Sequence, residues 1–155
     1  MAEDNNNAQQ QQFALQRIYI RDLSFESPQG VKAFTQQWKP QVKMDLNTRH
    51  EKIDDTNYEV VLTLTITASQ DDEVAFLIEL QQAGVFFVKG IQGPQLGQVL
   101  GALCPGILFP YARETVDSLV IKGSFPALML APVNFDALYQ QALAQQQKQQ
   151  KEAAH

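Results

Sequence analysis

Apolar and polar residues alternate through the first half of the chain and fall at helical spacing through the second. In 41–47, Val42, Met44 and Leu46 alternate with Gln41, Lys43, Asp45 and Asn47. In 58–68, Tyr58, Val60, Leu62, Leu64 and Ile66 alternate with Glu59, Val61, Thr63, Thr65 and Thr67. In 73–88, Val74, Phe76, Ile78 and Leu80 alternate with Glu73, Ala75, Leu77, Glu79 and Gln81. A period of two places one face of each strand in a core and the other in water. The links are short and polar, with Asp54, Asp55 and Asn57 in one and 69–72 in the other. Such links predict an antiparallel meander.

An earlier strand over 12–26 has a different pattern. Phe13, Leu15, Arg17, Tyr19, Arg21, Leu23 and Phe25 would share one face, and Ile18, Ile20, Asp22, Ser24 and Glu26 the other. Both faces are partly apolar, as in a strand covered twice or paired at a subunit edge. The link 27–40 carries Pro28 and Gly30 as breakers and is too long for a hairpin, which predicts a crossover and a Greek-key order. Phe34 and Trp38 lie four apart in it, so a helical turn would put them on one side.

The period changes after Gly90. Leu96, Val99, Leu100 and Leu103 mark a helix that Pro105 is expected to interrupt, and Gly97 and Gly101 on it leave room for a close neighbour. A second helix is predicted from near Pro110 to Lys122, with Ala112, Val116, Leu119 and Val120 as its stripe and Gly123 as its cap. A last helix starts at Asn134, a good N-cap, with Phe135, Leu138, Tyr139, Ala142 and Leu143 apolar. The fold class is α+β: a four-stranded antiparallel Greek-key sheet with C-terminal helices packed on one face. Asn/Gln-rich residues 1–11 are expected to be a disordered tail, 12–145 the folded domain and 146–155 a second polar tail.

Chemistry is sparse. The histidines, His50 and His155, have no second ligand at metal spacing, so no metal is expected. The single cysteine, Cys104, precedes Pro105 in apolar surroundings and reads as a buried inert thiol. The glycines of GIQGPQLGQVLG lack the Lys-Ser/Thr of a phosphate loop, so no nucleotide or other cofactor is expected. With 12 basic and 17 acidic side chains the net charge is −5, which argues against nucleic acid. The polar start MAEDNNNAQQQQ shows no secretory signal, and no apolar run approaches the roughly 20 residues of a membrane span. A cytoplasmic protein without membrane insertion, and not an enzyme, is the expectation.

Two constellations remain open from pattern alone. Asp22, Glu26, Leu77 and Glu79 form either ordinary solvated strand positions or an acidic patch around an exposed leucine, a protein docking site. Phe34, Trp38, Val42, Met44, Tyr139 and Leu143 belong either to the core or to an apolar groove.

The segments PGILFPYARE (105–114) and APVNFDALY (131–139) resemble signatures of the SecB family, bacterial protein-export chaperones. RIYIRDLSFESP (17–28), YEVVLTLTITAS (58–69) and AFLIELQQAGVF (75–86) extend the resemblance over about 13–143. Gly106 departs from the asparagine often found after this Cys-Pro. The resemblance implies a homotetramer, a dimer of dimers, that holds unfolded precursor polypeptides without ATP and delivers them to SecA, the translocase ATPase. It implies SecA docking at Asp22, Glu26, Leu77 and Glu79, with the zinc of that contact belonging to SecA. It implies a client groove lined by Trp38, Val42, Met44, Leu46, Tyr139 and Leu143. It implies an assembly interface at Ile78, Leu80 and Gln82. The competing classes are a general holdase, a small ligand-binding α+β module, and a thiol enzyme using Cys104.

Overall fold

The protein is described here by a computed structural model covering residues 10–154. The expected N-terminal tail falls almost wholly outside the described residues, as does His155. Strands β1 (Gln12–Glu26), β2 (Gln41–Lys52), β3 (Asn57–Gln70) and β4 (Glu73–Lys89) form one antiparallel sheet in the order β1-β4-β3-β2. β2, β3 and β4 are the predicted meander, and β1 lies beside β4, which completes the Greek key.

Local chemistry sets the connections. Asp71 (φ 53°) and Asp72 (φ 62°) make the two-residue β3–β4 turn, where successive positive φ values match the strand twist. In the β2–β3 loop, the Asp54 carboxylate accepts from the backbone N–H groups of Thr56 (2.9 Å) and Asn57 (2.8 Å). The 3-10 turn Gly30–Phe34 lies in the β1–β2 link, beside Gln29, whose Nε2 donates to the Val74 carbonyl (3.0 Å). Trp38 falls outside this turn, yet both Phe34 and Trp38 pack on Phe125 at 5.2 and 5.0 Å between centroids.

The buried face of the sheet holds Val60, Leu62, Leu64 and Ile66 of β3 and Phe76, Ile78, Leu80 and Phe86 of β4. Leu108, Ala112, Val116 and Val120 form the buried stripe of α2 that covers it. Removing each of these large side chains from water stabilises the fold by about 1.5–3 kcal/mol before ordering costs.

β1 departs from strict alternation. Bulges between Leu15 and Arg17 and between Ile20 and Asp22 each add a residue, so the strand changes phase twice. Phe13, Ile18, Leu23 and Phe25 pack on the core, while Tyr19 turns to the opposite face. The face assignment expected from unbroken alternation therefore fails between the bulges and holds again at Asp22 and Glu26.

The helical half is more continuous than expected. Helix α1 (Gly93–Gln98) passes through a π-helical segment, Val99–Leu103, directly into α2 (Cys104–Lys122). Pro105 occupies the first turn of α2 and Pro110 lies within it, so neither interrupts nor starts a helix. The widened π turn gives a proline ring the room that a regular helix would deny it. At the other end of α2, the Phe125 N–H donates to the Val120 carbonyl (3.0 Å) and the Ser124 N–H to that of Ile121 (2.9 Å), a Schellman closure. Ser124 takes the left-handed conformation (φ 66°), and Gly123 is needed for space, since a Cβ there would stand 2.5 Å from Phe25. Helix α3 (Phe135–Ala153) is capped by Asn134, whose Oδ1 accepts from the Ala137 N–H (3.0 Å). The C-terminal tail expected at 146–155 is thus helical through Ala153, although its side chains are exposed.

Candidate functional site

Two surfaces take shape from these elements. The first is a groove of about 460 Å³ between β2, the π segment and α3. Met44, Leu46, Gly101, Phe135, Leu138, Tyr139 and Ala142 give it an apolar lining, with Asp45, Asn47 and Thr48 at its polar side. Five consecutive β2 residues, 44–48, line it, so the groove meets the edge of the strand as well as one face. β2 is the last strand of the sheet, and its outer backbone groups have no strand partner among the described residues.

Of the six residues expected in the groove, Met44, Leu46 and Tyr139 are brought together. Trp38 lines a separate pocket of about 160 Å³ with Phe34 and Phe125, and stacks on Phe76 at 6.2 Å. Val42, 43% exposed, and half-buried Leu143 line neither space, although Val42 shares a β2 face with Met44 and Leu46. Phe135, Leu138 and Ala142 join the groove through the apolar stripe of α3, a signal present at positions i, i+3 and i+7 of that helix. Phe125 follows the Schellman turn, and only the folded chain brings it to Trp38.

The second surface is the sheet face turned away from α2. Register puts Glu26 opposite Leu77, Ser24 opposite Glu79 and Asp22 opposite Gln81. The four positions of the expected acidic patch therefore share one face, with three exposed carboxylates around half-buried Leu77. Thr65 and Thr67 of β3 lie beyond Glu79 and Leu77, and Asp45 of β2 lies opposite Thr65, adding a carboxylate to the row. Toward the other end of this face the Tyr19 hydroxyl donates to Glu59, and Arg21 pairs with Glu59. Reaching β3 from β1 carries the Tyr19 ring over β4, where Ala83 and Val61 are buried on this otherwise open face. Burial, followed by the Glu59 carboxylate, pushes the Tyr19 phenol up to about 12.

Ile78, Leu80 and Gln82 lie on the helix-covered face, with Ile78 and Leu80 wholly buried and Gln82 3% exposed. They have almost no surface to offer another subunit directly, because α2 and the sheet already enclose them. Gln82 Nε2 donates to the Tyr19 carbonyl (3.1 Å), and Gln82 Oε1 is buried without a partner among the described residues. Cys104 is buried as well, and burial raises its thiol from 9.0 to about 12, the opposite of a nucleophile's activation. No group of three or more potential metal ligands occurs among the described residues. No helix there is long and apolar enough to cross a membrane.

Comparison with known proteins agrees with this architecture. The family described as preprotein translocase subunit SecB matches residues 6–146. A protein-export protein SecB from Marinobacter nauticus is 64% identical over 148 residues, covering 96% of this chain and 90% of that relative. One from Hahella chejuensis is 61% identical over 150 residues, covering 97% and 94%. Among solved structures, a SecB-like chaperone from Mycobacterium tuberculosis, in complex with a peptide from an antitoxin, superposes with a TM-score of 0.62. It is 14% identical, and the match covers 78% of this chain and 87% of that one, a likeness of fold.

Proposed function

The chain belongs to the SecB family, and from that premise we propose that it is an ATP-independent export chaperone of the cytoplasm, holding unfolded precursor polypeptides for delivery to SecA. The observation that carries this reading is the apolar groove of Met44, Leu46, Phe135, Leu138 and Tyr139 along an unpaired strand edge. An unfolded chain presents apolar side chains for such a lining and backbone groups for such an edge. Each buried side chain favours binding by about 1.5–3 kcal/mol, from which the ordering of client and groove subtracts. Affinity per segment is modest, and several grooves acting on one client multiply it through effective concentration.

Four chains, as a dimer of dimers, would supply those grooves. The edge strand β1, with exposed Ile20, and α2, with Tyr111 and Ile121 exposed, support this assembly. Ile78, Leu80 and Gln82 then serve assembly from beneath, by fixing how α2 and β1 sit.

The acidic face around Leu77 is the SecA dock in this proposal. Basic groups of SecA meet Asp22, Glu26 and Glu79, and an apolar group meets Leu77. Glu79→Lys is expected to weaken SecA association at least tenfold and leave capture of an unfolded client unchanged, as measured by titration with each partner. Met44→Glu is expected to give the reverse. Equal losses of both activities in each variant would contradict two separate surfaces.

A further inference from the structure

Gly97 and Gly101 face Tyr139 of α3 so closely that any Cβ at either position would displace its side chain. A Cβ at Gly97 would stand 2.5 Å from the Tyr139 hydroxyl oxygen, with the next ring atom at 3.7 Å. A Cβ at Gly101 would stand 2.6 and 2.7 Å from the ring atoms Cδ2 and Cε2. The two glycines bracket the start of the π segment and form a seat in which the ring lies, hydroxyl over Gly97 and edge over Gly101. The same ring is a wall of the groove, and Gly101 is part of its floor.

Little else holds α3 in place. Phe135 is buried at its start, edge-on to Phe109 at 5.8 Å, and Gln98 Nε2 donates to Asp136 at 3.3 Å. Tyr139 is the last α3 side chain packed against the core, and beyond Leu143 the helix is exposed. The depth of the Tyr139 seat therefore sets where α3 stands over Met44 and Leu46.

We propose that Gly97 and Gly101 are selectivity-determining positions of the client groove, fixing its width by how deeply they let the Tyr139 ring sit. This deepens the client-binding reading and rests on it. A methyl group at either position lifts the ring toward the groove, and the space left for bulky client side chains shrinks before that for small ones. The two positions touch different parts of the ring, which gives them different suppressors. Tyr139→Phe removes the atom that an alanine at 97 would strike and leaves the ring edge that one at 101 would strike.

The test uses the full chain and two unfolded peptides of equal length and charge, one with phenylalanine and one with valine at its apolar positions. Gly97→Ala and Gly101→Ala are each expected to raise the Kd of the phenylalanine peptide roughly three- to tenfold, part of one aromatic contact, with a smaller change for the valine peptide. Tyr139→Phe is expected to cancel the effect of Gly97→Ala and not that of Gly101→Ala, whereas Tyr139→Ala cancels both. A merely structural role would change thermal stability, as alanine's helix preference and its collision with the ring oppose each other, and leave the peptide preference alone. That result, or an effect that persists after Tyr139→Ala, overturns the proposal. Failure of the wild-type chain to bind either peptide overturns the client-groove reading itself. If Gly101→Ala does not fold, the Gly97→Ala and Tyr139→Phe pair decides alone, because its contact is confined to the hydroxyl.

Discussion

Three aromatic contacts converge on wholly buried Phe76: Phe25 at 6.0 Å, Trp38 at 6.2 Å and Phe125 at 5.0 Å. It joins the sheet, the crossover and the Schellman turn in one stack. Phe76→Ala is expected to cost about 3–5 kcal/mol, measured by denaturant titration. Cys104 gives a pH dependence. Its thiol is raised in the folded chain, so this contribution to stability is complete below about pH 9 and is lost as pH rises toward about 12. The unfolded thiol ionises first, and the folded one must remain protonated. Stability should therefore fall above pH 9 less steeply in Cys104→Ala than in the wild type, and thiol reagents should label Cys104 only as the chain unfolds. At this scale the sequence was readable wherever strict alternation held, as at Val60, Leu62, Leu64 and Ile66. Tyr19 was not readable, because a bulge is an extra residue in pairing and leaves no mark in the pattern of one strand. Burial of Ile78 and Leu80 was implicit in their alternation with Leu77 and Glu79. It separates them from any direct contact with another subunit.

Among the elements, α3 is the one whose loss is expected to remove the groove before the fold. Its start is fixed by the Asn134 cap and by Phe135, and its outer turns face water. Asn134→Ala is expected to remove about 1 kcal/mol from the helix. Amide hydrogen exchange in 135–143 should speed up several-fold while β3 and β4 keep their protection. The helix start was legible because an N-cap is local chemistry. The continuity of α1, the π segment and α2 was not, since prolines at 105 and 110 ordinarily end a helix, and neither the π turn before Pro105 nor the place of Pro110 within regular helix leaves a local mark in the sequence. The acidic face was legible for a related reason: Asp22 and Glu26 lie beyond the last bulge, where counting by two works again. The groove was half legible. Met44, Leu46 and Tyr139 meet as expected, whereas Trp38 belongs with Phe34 and Phe125, residues joined by the crossover and the turn after α2.

For the molecule as a whole, the sheet separates two surfaces. One face and its β2 edge carry the apolar groove, and the opposite face carries carboxylates around Leu77. On the proposed reading, a client held in the groove leaves Asp22, Glu26 and Glu79 free, so capture and delivery need not compete. Native mass measurement should give a four-chain assembly, and a monomer at micromolar concentration would contradict the proposed multiplication of weak contacts. The central claim is tested most directly by diluting a chemically unfolded, slowly folding client into buffer with the assembly in excess and without nucleotide, and following refolding. Refolding should be retarded in proportion to the chaperone present and resume when client is released. Refolding at the same rate and to the same yield with and without excess chaperone would contradict it.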